Sequence, residues 1–316
     1  MSTALARARN AIDAMAHGQF VLVGVSGGAD SLALAVASSE LMRFGKLRAG
    51  AIIVDHGLQT DSAAAAEQAA AQCRALGLEP VLIRRVETSD DEASARTARY
   101  AAFNSALGET GAESILLAHT LNDQAEQVLL GLLRGSGTRS LAGIPARRGP
   151  FLRPLLGLDR AAMEEICTQA GLSWWQDASN TDQRYRRNHI RHRVLPLLQN
   201  ELGTHLPQAL AATASLAAQD AEALEQWAHR AYAELGGADT LHLAELGKLP
   251  LAISSRVLRL AARSAGASTP TRERTEALLR LAGLGYAKSK SAGPVQLEGH
   301  VAAFRRGPVI VFTRPG

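Results

Sequence analysis

Cysteine is almost missing from this chain: Cys73 and Cys167 are the two in 316 residues. They stand far apart in helical-looking stretches, which excludes a disulfide framework, a cysteine-built zinc site and a paired redox motif, and leaves two buried, inert thiols. Long apolar runs are missing too. No stretch approaches the roughly 20 uninterrupted apolar residues that span a bilayer. Nor do the opening residues carry the apolar core of a leader peptide, because Arg7, Arg9, Asp13 and His17 interrupt them. An amphipathic first helix and a soluble, cytoplasmic protein without a membrane partner are the expectation. Internal repeats and low-complexity tracts do not stand out. A strong excess of one charge sign is also wanting. The net charge is +4, too mild by itself to show a nucleic-acid partner, so its distribution must decide.

What the chain does have is apolar content, 47% of residues, enough for one large core or two smaller ones. Val21 to Val25 make a short β-rich run, and "LRAGAIIVDHG", "LEPVLIRRV" and "AESILLAH" repeat the pattern, each followed by a helical segment. Strands alternating with helices over residues 20 to 135 predict an α/β fold with a doubly wound, Rossmann-like parallel sheet. Past Pro150 the pattern loosens through "FLRPLL", one helix and an arginine-rich stretch into a long helical segment, 206–235, that ends at Gly236 and Gly237. Two helical patterns, 251–265 and 271–282, precede "VQLEGHVAAFRRGPVIVF", which reads as antiparallel strands of a small α+β domain. The expected division is a main domain at 1–205, a helical linker at 206–237 and a C-terminal domain at 238–316.

Ligands of doubly wound sheets sit at the carboxyl ends of the strands. Those ends carry SGGADS (26–31), VDHG (54–57) and LLAHTLND (116–123), three polar clusters expected to converge on one crevice. In "VLVGVSGGADSLAL", residues 21–34, two glycines separate strand from helix. Such a junction aims backbone N–H groups and the positive helix end at one point, which suits an anion. Ser26, Gly27, Gly28, Ala29, Asp30 and Ser31 are therefore the candidate phosphate loop, which matches neither GxxxxGKS/T nor GxGxxG. Asp30 is its awkward member. A carboxylate beside a phosphate repels it unless a divalent cation lies between, so ATP here implies Mg2+ held partly by Asp30.

Asp55 and His56 end the second strand, where an Asp-capped turn is the plain reading. "EASARTARYAAF" (92–103) spaces Glu92, Arg96, Arg99 and Phe103 along adjoining parts of a helix surface. Its arginines favour phosphate or carboxylate partners, although ion pairs on a solvated face account for the spacing as well. In "AHTLNDQAEQVLLGLLRGSG" (118–137), Asp123 and Glu126 stand three apart at a helix start, near His119 at the strand end. Both carboxylates can face one side and hold an amine; metal ligation and complementing the helix dipole are the other uses. "RYRRNHIRHR" (184–193) packs five arginines and two histidines with no acid. Such local positive potential suits RNA phosphates, with Arg184, Arg186, Arg187, Arg191 and Arg193 as contacts and Arg147, Arg148 and Arg153 widening the surface.

The SGGADS stretch resembles the SGGxDS loop of the N-type ATP pyrophosphatases, which cleave ATP between its α- and β-phosphates and transfer AMP to a substrate oxygen. Taken with "RPLL" (153–156) and "WWQDASNTDQRYRRNHIRHRVLPLL" (174–198), the series resembles the tRNA(Ile)-lysidine synthetases, whose motifs run SGGxDS, VDHG, ARxxRY, HxxDDxxE, RGSG, RPLL and DxSNxxxxYxRNxIRxxxxP. All occur here in that order across residues 26 to 196. Two positions depart from the pattern: Asn122 replaces the first acid of the DD pair, and Gln59 stands where Arg is usual.

That resemblance implies a ligase joining L-lysine to C2 of the wobble cytidine in the CAU-anticodon isoleucine tRNA, through an adenylated cytidine, with release of AMP and pyrophosphate. It implies ATP bound by Ser26 to Ser31 with Asp55 and His56 lining the pocket, and Mg2+ at Asp30. Lysine would be held by Arg99, Asp123 and Glu126, with His119 or a carboxylate taking its proton, while the C-terminal domain grips the tRNA. Whether two chains pair as a homodimer stays open. Two rivals remain: a tRNA thiolation enzyme of the same fold, which would want a reactive cysteine near the loop, and a nucleotide-sensing RNA-binding protein without turnover.

Overall fold

Phe20–Val25 (β1), Arg48–Asp55 (β2), Val81–Arg85 (β3) and Ser114–Leu116 (β4) pair in parallel, with β1 between β2 and β4. The short strands Arg147–Arg148 (β5) and Phe151–Leu152 (β6) extend the sheet beyond β4, giving the order β3-β2-β1-β4-β6-β5, with only β5 antiparallel. This computed structural model describes residues 3–57, 62–86, 92–135, 137–175, 186–237, 239–284 and 293–314. Helices Thr3–Ala16 (α1), Ala29–Arg43 (α2), Ser62–Ala75 (α3), Glu92–Thr110 (α4), Leu121–Leu133 (α5), Thr138–Leu141 (α6) and Arg160–Gln169 (α7) accompany these strands.

The strand pleat explains why both faces are covered. Val21, Val23 and Val25 point into a cluster with α1, α2 and α7, while Leu22 joins Ile52, Phe103 and Ile115 on the other face. Each such side chain contributes about 1.5–3 kcal/mol of burial. Helix α2 is apolar nearly all round, burying Leu32, Leu34, Val36 and the alanines between them, as a helix wedged between neighbours must. The parallel sheet expected from the alternating pattern is present. The β5–β6 ribbon in "RRGPFL" was not expected, because two-residue strands are too short to show a period.

Further on, Arg186–His189 (α8) passes through a π turn, Ile190–Val194, into Leu195–Leu202 (α9), and Leu206–Glu234 (α10) follows. The remainder holds Thr240–His242 (β7), Leu243–Leu246 (α11), Leu251–Ser264 (α12), Arg272–Ala282 (α13), Val295–Leu297 (β8), Val301–Arg306 (β9) and Val309–Thr313 (β10). These four strands form an antiparallel sheet in the order β7-β10-β9-β8. Helix α12 buries Ile253, Val257, Leu258, Ala261 and Ala262 along one stripe. Two compact units result: Met1–Gly135 with Ser140–Ser215, and Ser136–Arg139 with Leu216–Gly316. The division falls inside α10, which lies within the expected linker at 206–237. No helix among the described residues is long and apolar enough to cross a membrane.

One glycine shows how tightly the sheet is built. Gly50 faces Leu22 across the β1–β2 ladder, and a Cβ there would lie 2.5 Å from the Pro80 carbonyl oxygen and 2.9 Å from Leu22 Cδ2. Gly50→Ala is therefore expected to lower the unfolding free energy by about 1–3 kcal/mol. Denaturant titration checks this, and an unchanged midpoint contradicts it.

Candidate active site

The turn after β1 is shaped by Gly27, whose φ of 82° lies in the left-handed region that glycine adopts freely. Gly28 caps α2 without any side-chain cap bond, so the first N–H groups of α2 are left for a ligand. Ser31 Oγ donates to Gly28 O (2.9 Å) and accepts from Ser26 N–H (3.1 Å), with Ser26 Oγ 3.3 Å away, so both hydroxyls line the same turn. Asp30 sits in the first helical turn. Its Oδ1 is buried with no hydrogen-bond partner, and its Oδ2 lies 3.7 Å from Arg160 Nε. Burial pushes the Asp30 carboxyl up to about 6, with Arg160 opposing. An orphaned carboxylate oxygen beside a phosphate cradle is the donor a hard cation would use, so Asp30 fits Mg2+. No cluster of three metal-ligating side chains exists among the described residues, so phosphates and water would supply the rest of the shell.

Strand β4 lies beside β1, which brings the segment after Leu116 next to the loop. There Thr120 caps α5, and Asp123 Oδ2 accepts from Thr120 N–H (2.8 Å) and from its hydroxyl (3.0 Å). Asp123 Oδ1 accepts from Arg187 Nη2 (2.9 Å) and Arg191 Nη2 (3.0 Å). Glu126, fully buried, accepts from Arg187 Nε (2.8 Å) at Oε2 and from Arg191 at both oxygens, Nε at 2.6 Å and Nη2 at 3.0 Å. Two carboxylates and two guanidiniums thus form a closed square. Burial raises the Asp123 carboxyl, but Arg187, the Thr120 N–H, His119 and Arg191 outweigh it and hold it below the usual range. Asp123 and Arg191 also act on Asp30, so loop and square share one electrostatic neighbourhood.

This pairing changes the reading of the basic stretch. Arg187 and Arg191, expected to meet RNA phosphates, are spaced one helical turn apart on α8 and the π turn, and they spend their forks on Asp123 and Glu126. Arg186 and Arg193 lie on the same segment, whereas Arg184 and Gln59 fall outside the described residues. Arg153 is corrected outright. It is 3% exposed, donating to Pro145 O (3.0 Å) and Tyr100 Oη (3.1 Å), and cannot widen an RNA surface. Arg99 donates to His56 Nε2 (3.2 Å from Nε), and Asp55 Oδ1 accepts from Gly57 N–H (2.9 Å), the Asp-capped turn. Burial, then Arg99, lowers His56. Asn122 Oδ1 accepts from Arg160 N–H (3.0 Å), tying the start of α5 to the start of α7 without adding a third charge. Arg160 carried no sequence signal beyond the Asp159 cap of α7, which accepts from Ala162 N–H (2.9 Å).

His119 is half-buried, with its Nδ1 sealed from solvent and without a hydrogen-bond partner. Burial chiefly, with Arg153, Arg187 and Arg96 opposing Asp123, pushes its imidazole down to about 4. It is neutral at pH 7. Because the unfolded chain protonates near 6.5 and the folded one near 4, the unfolded state binds more protons between those values. Stability is therefore complete above about 6.5 and falls as pH drops towards 4. In His119→Gln that part of the acid limb should flatten in melting curves from pH 7 to pH 4; an unaltered limb contradicts the assignment. The square makes a second prediction. Arg191→Ala leaves the buried Glu126 short of donors and should cost about 3–5 kcal/mol, part of it recovered by Glu126→Gln in the same chain. Equal stabilities of the single and double variants would contradict it.

Comparison with known proteins then bears on the site. Residues 1–198 match the family model described as PP-loop domain, and residues 241–309 match the TilS substrate binding domain. A tRNA(Ile)-lysidine synthase of Leifsonia xyli is 44% identical over 307 residues, covering 94% of this chain and 91% of the relative. One from Thermobifida fusca is 45% identical over 281 residues, 86% of each. Among solved structures, the U34-tRNA thiolase NcsA from Methanococcus maripaludis, with its 4Fe-4S cluster, superposes with a TM-score of 0.59 at 16% identity, covering 68% of this chain and 78% of its own, which is a likeness of fold. With both family models matched in order and such identity sustained over nearly the whole length, the chain belongs to the tRNA(Ile)-lysidine synthase family.

Proposed function

We propose that this chain is the ATP-dependent ligase that joins L-lysine to C2 of the wobble cytidine of the CAU-anticodon isoleucine tRNA. The observation that carries the reading is the meeting, at the carboxyl ends of β1 and β4, of an uncapped glycine turn and a buried acid pair, in a member of this family.

In the first step, cytosine O2 attacks the α-phosphorus of ATP and pyrophosphate leaves. The free N–H groups of α2 and the hydroxyls of Ser26 and Ser31 would hold the phosphates. Mg2+ at Asp30 would neutralise charge on the leaving pyrophosphate. In the second step, the lysine ε-nitrogen attacks C2 and AMP departs with O2. Asp123 and Glu126 would receive the ammonium, which requires Arg187 and Arg191 to give up some of the carboxylate oxygens they now fill. Two guanidiniums beside the amine favour its neutral form, as like charges do. His119, pushed down to about 4, is a poor acceptor for that proton. Asp123, held below the usual carboxylate range by the same guanidiniums, is no better an acceptor, so the carboxylate pair is assigned the positioning of the amine.

A thiolation reading finds no support in the cysteines. Cys167 Sγ lies against the loop, donating to Ala29 O (3.3 Å), but Cys167 and Cys73 are both buried and pushed up to about 12, so neither supplies a thiolate at neutral pH.

The test is pyrophosphate release with and without each cosubstrate. Release beyond one equivalent should need both tRNA and lysine, whereas a thiolation enzyme ignores lysine and a sensor gives none. Asp123→Asn and Glu126→Gln should each raise the lysine KM or lower kcat by an order of magnitude or more, equivalent to about 1.4 kcal/mol. Wild-type lysine kinetics in both variants would rule the assignment out.

A further inference from the structure

Arg160, the first residue of α7, faces the phosphate loop with a fixed backbone and an uncommitted side chain. Its N–H donates to Asn122 Oδ1 (3.0 Å) at the start of α5, and Leu121 N–H donates to Leu158 O (2.8 Å) just before α7. Two turns further along α7, Cys167 Sγ donates to Ala29 O (3.3 Å) on the loop itself. The start of α7 is therefore tied to its neighbours on both sides. The guanidinium is not. Among the described residues it makes no hydrogen bond, and its one ion pair is with Asp30, Nε to Oδ2 at 3.7 Å. That separation is too long for a hydrogen bond. Asp30 in turn leaves Oδ1 without a partner, so neither group gives the other its best geometry. Arg187 and Arg191 differ: their donors meet Asp123 and Glu126 at between 2.6 and 3.0 Å.

The side chains of Arg160 and Asp30 are 32% and 24% exposed. A long, part-exposed ion pair contributes little and exchanges readily for a better one. The better partner for each arrives with the nucleotide. Phosphates seated on the Gly27 turn lie against the first turn of α2, where Asp30 stands. A cation at Asp30 would take the carboxylate that Arg160 now faces, while the triphosphate still carries net negative charge. A planar guanidinium with free N–H groups matches phosphate oxygens two at a time, and the anchored start of α7 delivers it from a rigid base.

We propose that Arg160 is a contact for the leaving group of the reaction: when the nucleotide binds, its guanidinium leaves Asp30 and takes oxygens of the β- and γ-phosphates, which depart as pyrophosphate. This rests on the nucleotide reading of the loop above. Charge that builds on the bridging oxygen as the bond between the α- and β-phosphates breaks then meets a fixed positive group. The α-phosphate stays with the adenylated base and is not a partner of Arg160. Asn122 is a positioning residue in this arrangement, because its amide oxygen pins the backbone from which the Arg160 side chain starts.

Calorimetric titration of the full chain with pyrophosphate, ATP and AMP tests this, at saturating Mg2+ so that the cation and not Arg160 neutralises Asp30, with melting temperatures of the free proteins recorded alongside. Arg160→Ala should weaken pyrophosphate and ATP about tenfold, equivalent to about 1.4 kcal/mol, and AMP by less than about twofold. If the alanine variant melts lower, Arg160→Gln, which keeps the stem and a hydrogen-bonding head, carries the same comparison. A residue that only screens Asp30 behaves differently, since its removal frees the carboxylate for the cation and leaves pyrophosphate binding unchanged or tighter. That result, or equal weakening of all three ligands, would overturn the proposal. The unsubstituted chain separates this from failure of the nucleotide reading. Pyrophosphate bound equally by the unsubstituted chain and Arg160→Ala removes only this contact, whereas an unsubstituted chain that binds neither pyrophosphate nor ATP removes the nucleotide reading and the contact together.

Discussion

Glu126 is a carboxylate with no exposed surface, and a charge in that position survives folding only if it is paired and hydrogen-bonded. The partners are Arg187 and Arg191, which also take Asp123, so four charges neutralise one another at the start of α5. Much follows from that square. It accounts for how a stretch as basic as 186–193 can fold as a helix: two of its cations are already satisfied inside the chain. It fixes that helix against α5, beside the glycine turn. It also sets the electrostatic terms on which any amine enters, since an incoming ammonium exchanges for guanidinium and meets no bare acid.

Charge balance governs the neighbouring loop in the same way. Asp30 keeps an oxygen without a partner, and burial favours its protonated form, so holding it charged costs the loop stability. Local cost of this kind is found where a ligand compensates it. Asn122 belongs to this balance. Its amide oxygen serves α7 as an aspartate oxygen would, while sparing a crevice that already holds Asp30, Asp123 and Glu126 a further negative charge.

The parts of this chain legible in its sequence are those set by local spacing. The sheet could be read because β1, β2 and β4 are short apolar runs bounded by turn residues, and the loop because SGGADS interrupts a strand and a helix at one point. Asp123 and Glu126 were legible as a pair because three residues on a helix start leave two side chains on one side. Their partners were not. Arg187 and Arg191 lie more than sixty residues away along the chain and announced only a density of charge, which serves RNA phosphates and internal carboxylates equally well. Arg153 misled for the same reason: it is buried with its guanidinium donating to Tyr100 Oη, a contact between distant segments that leaves no periodic mark.

The two units divide the chemistry. The first gathers phosphate donors and a screened acid pair at the ends of parallel strands, and the second carries an antiparallel sheet. The central claim is that the square opens to admit an amine next to the nucleotide. A crystal structure of the protein with a non-hydrolysable ATP analogue and L-lysine tests it most directly. The lysine ε-nitrogen should lie at hydrogen-bond distance, about 3 Å, from Asp123 or Glu126, with the phosphates on the Gly27 turn and at least one guanidinium displaced. Lysine bound elsewhere, with Arg187 and Arg191 still making all five hydrogen bonds to the carboxylates, would contradict the account.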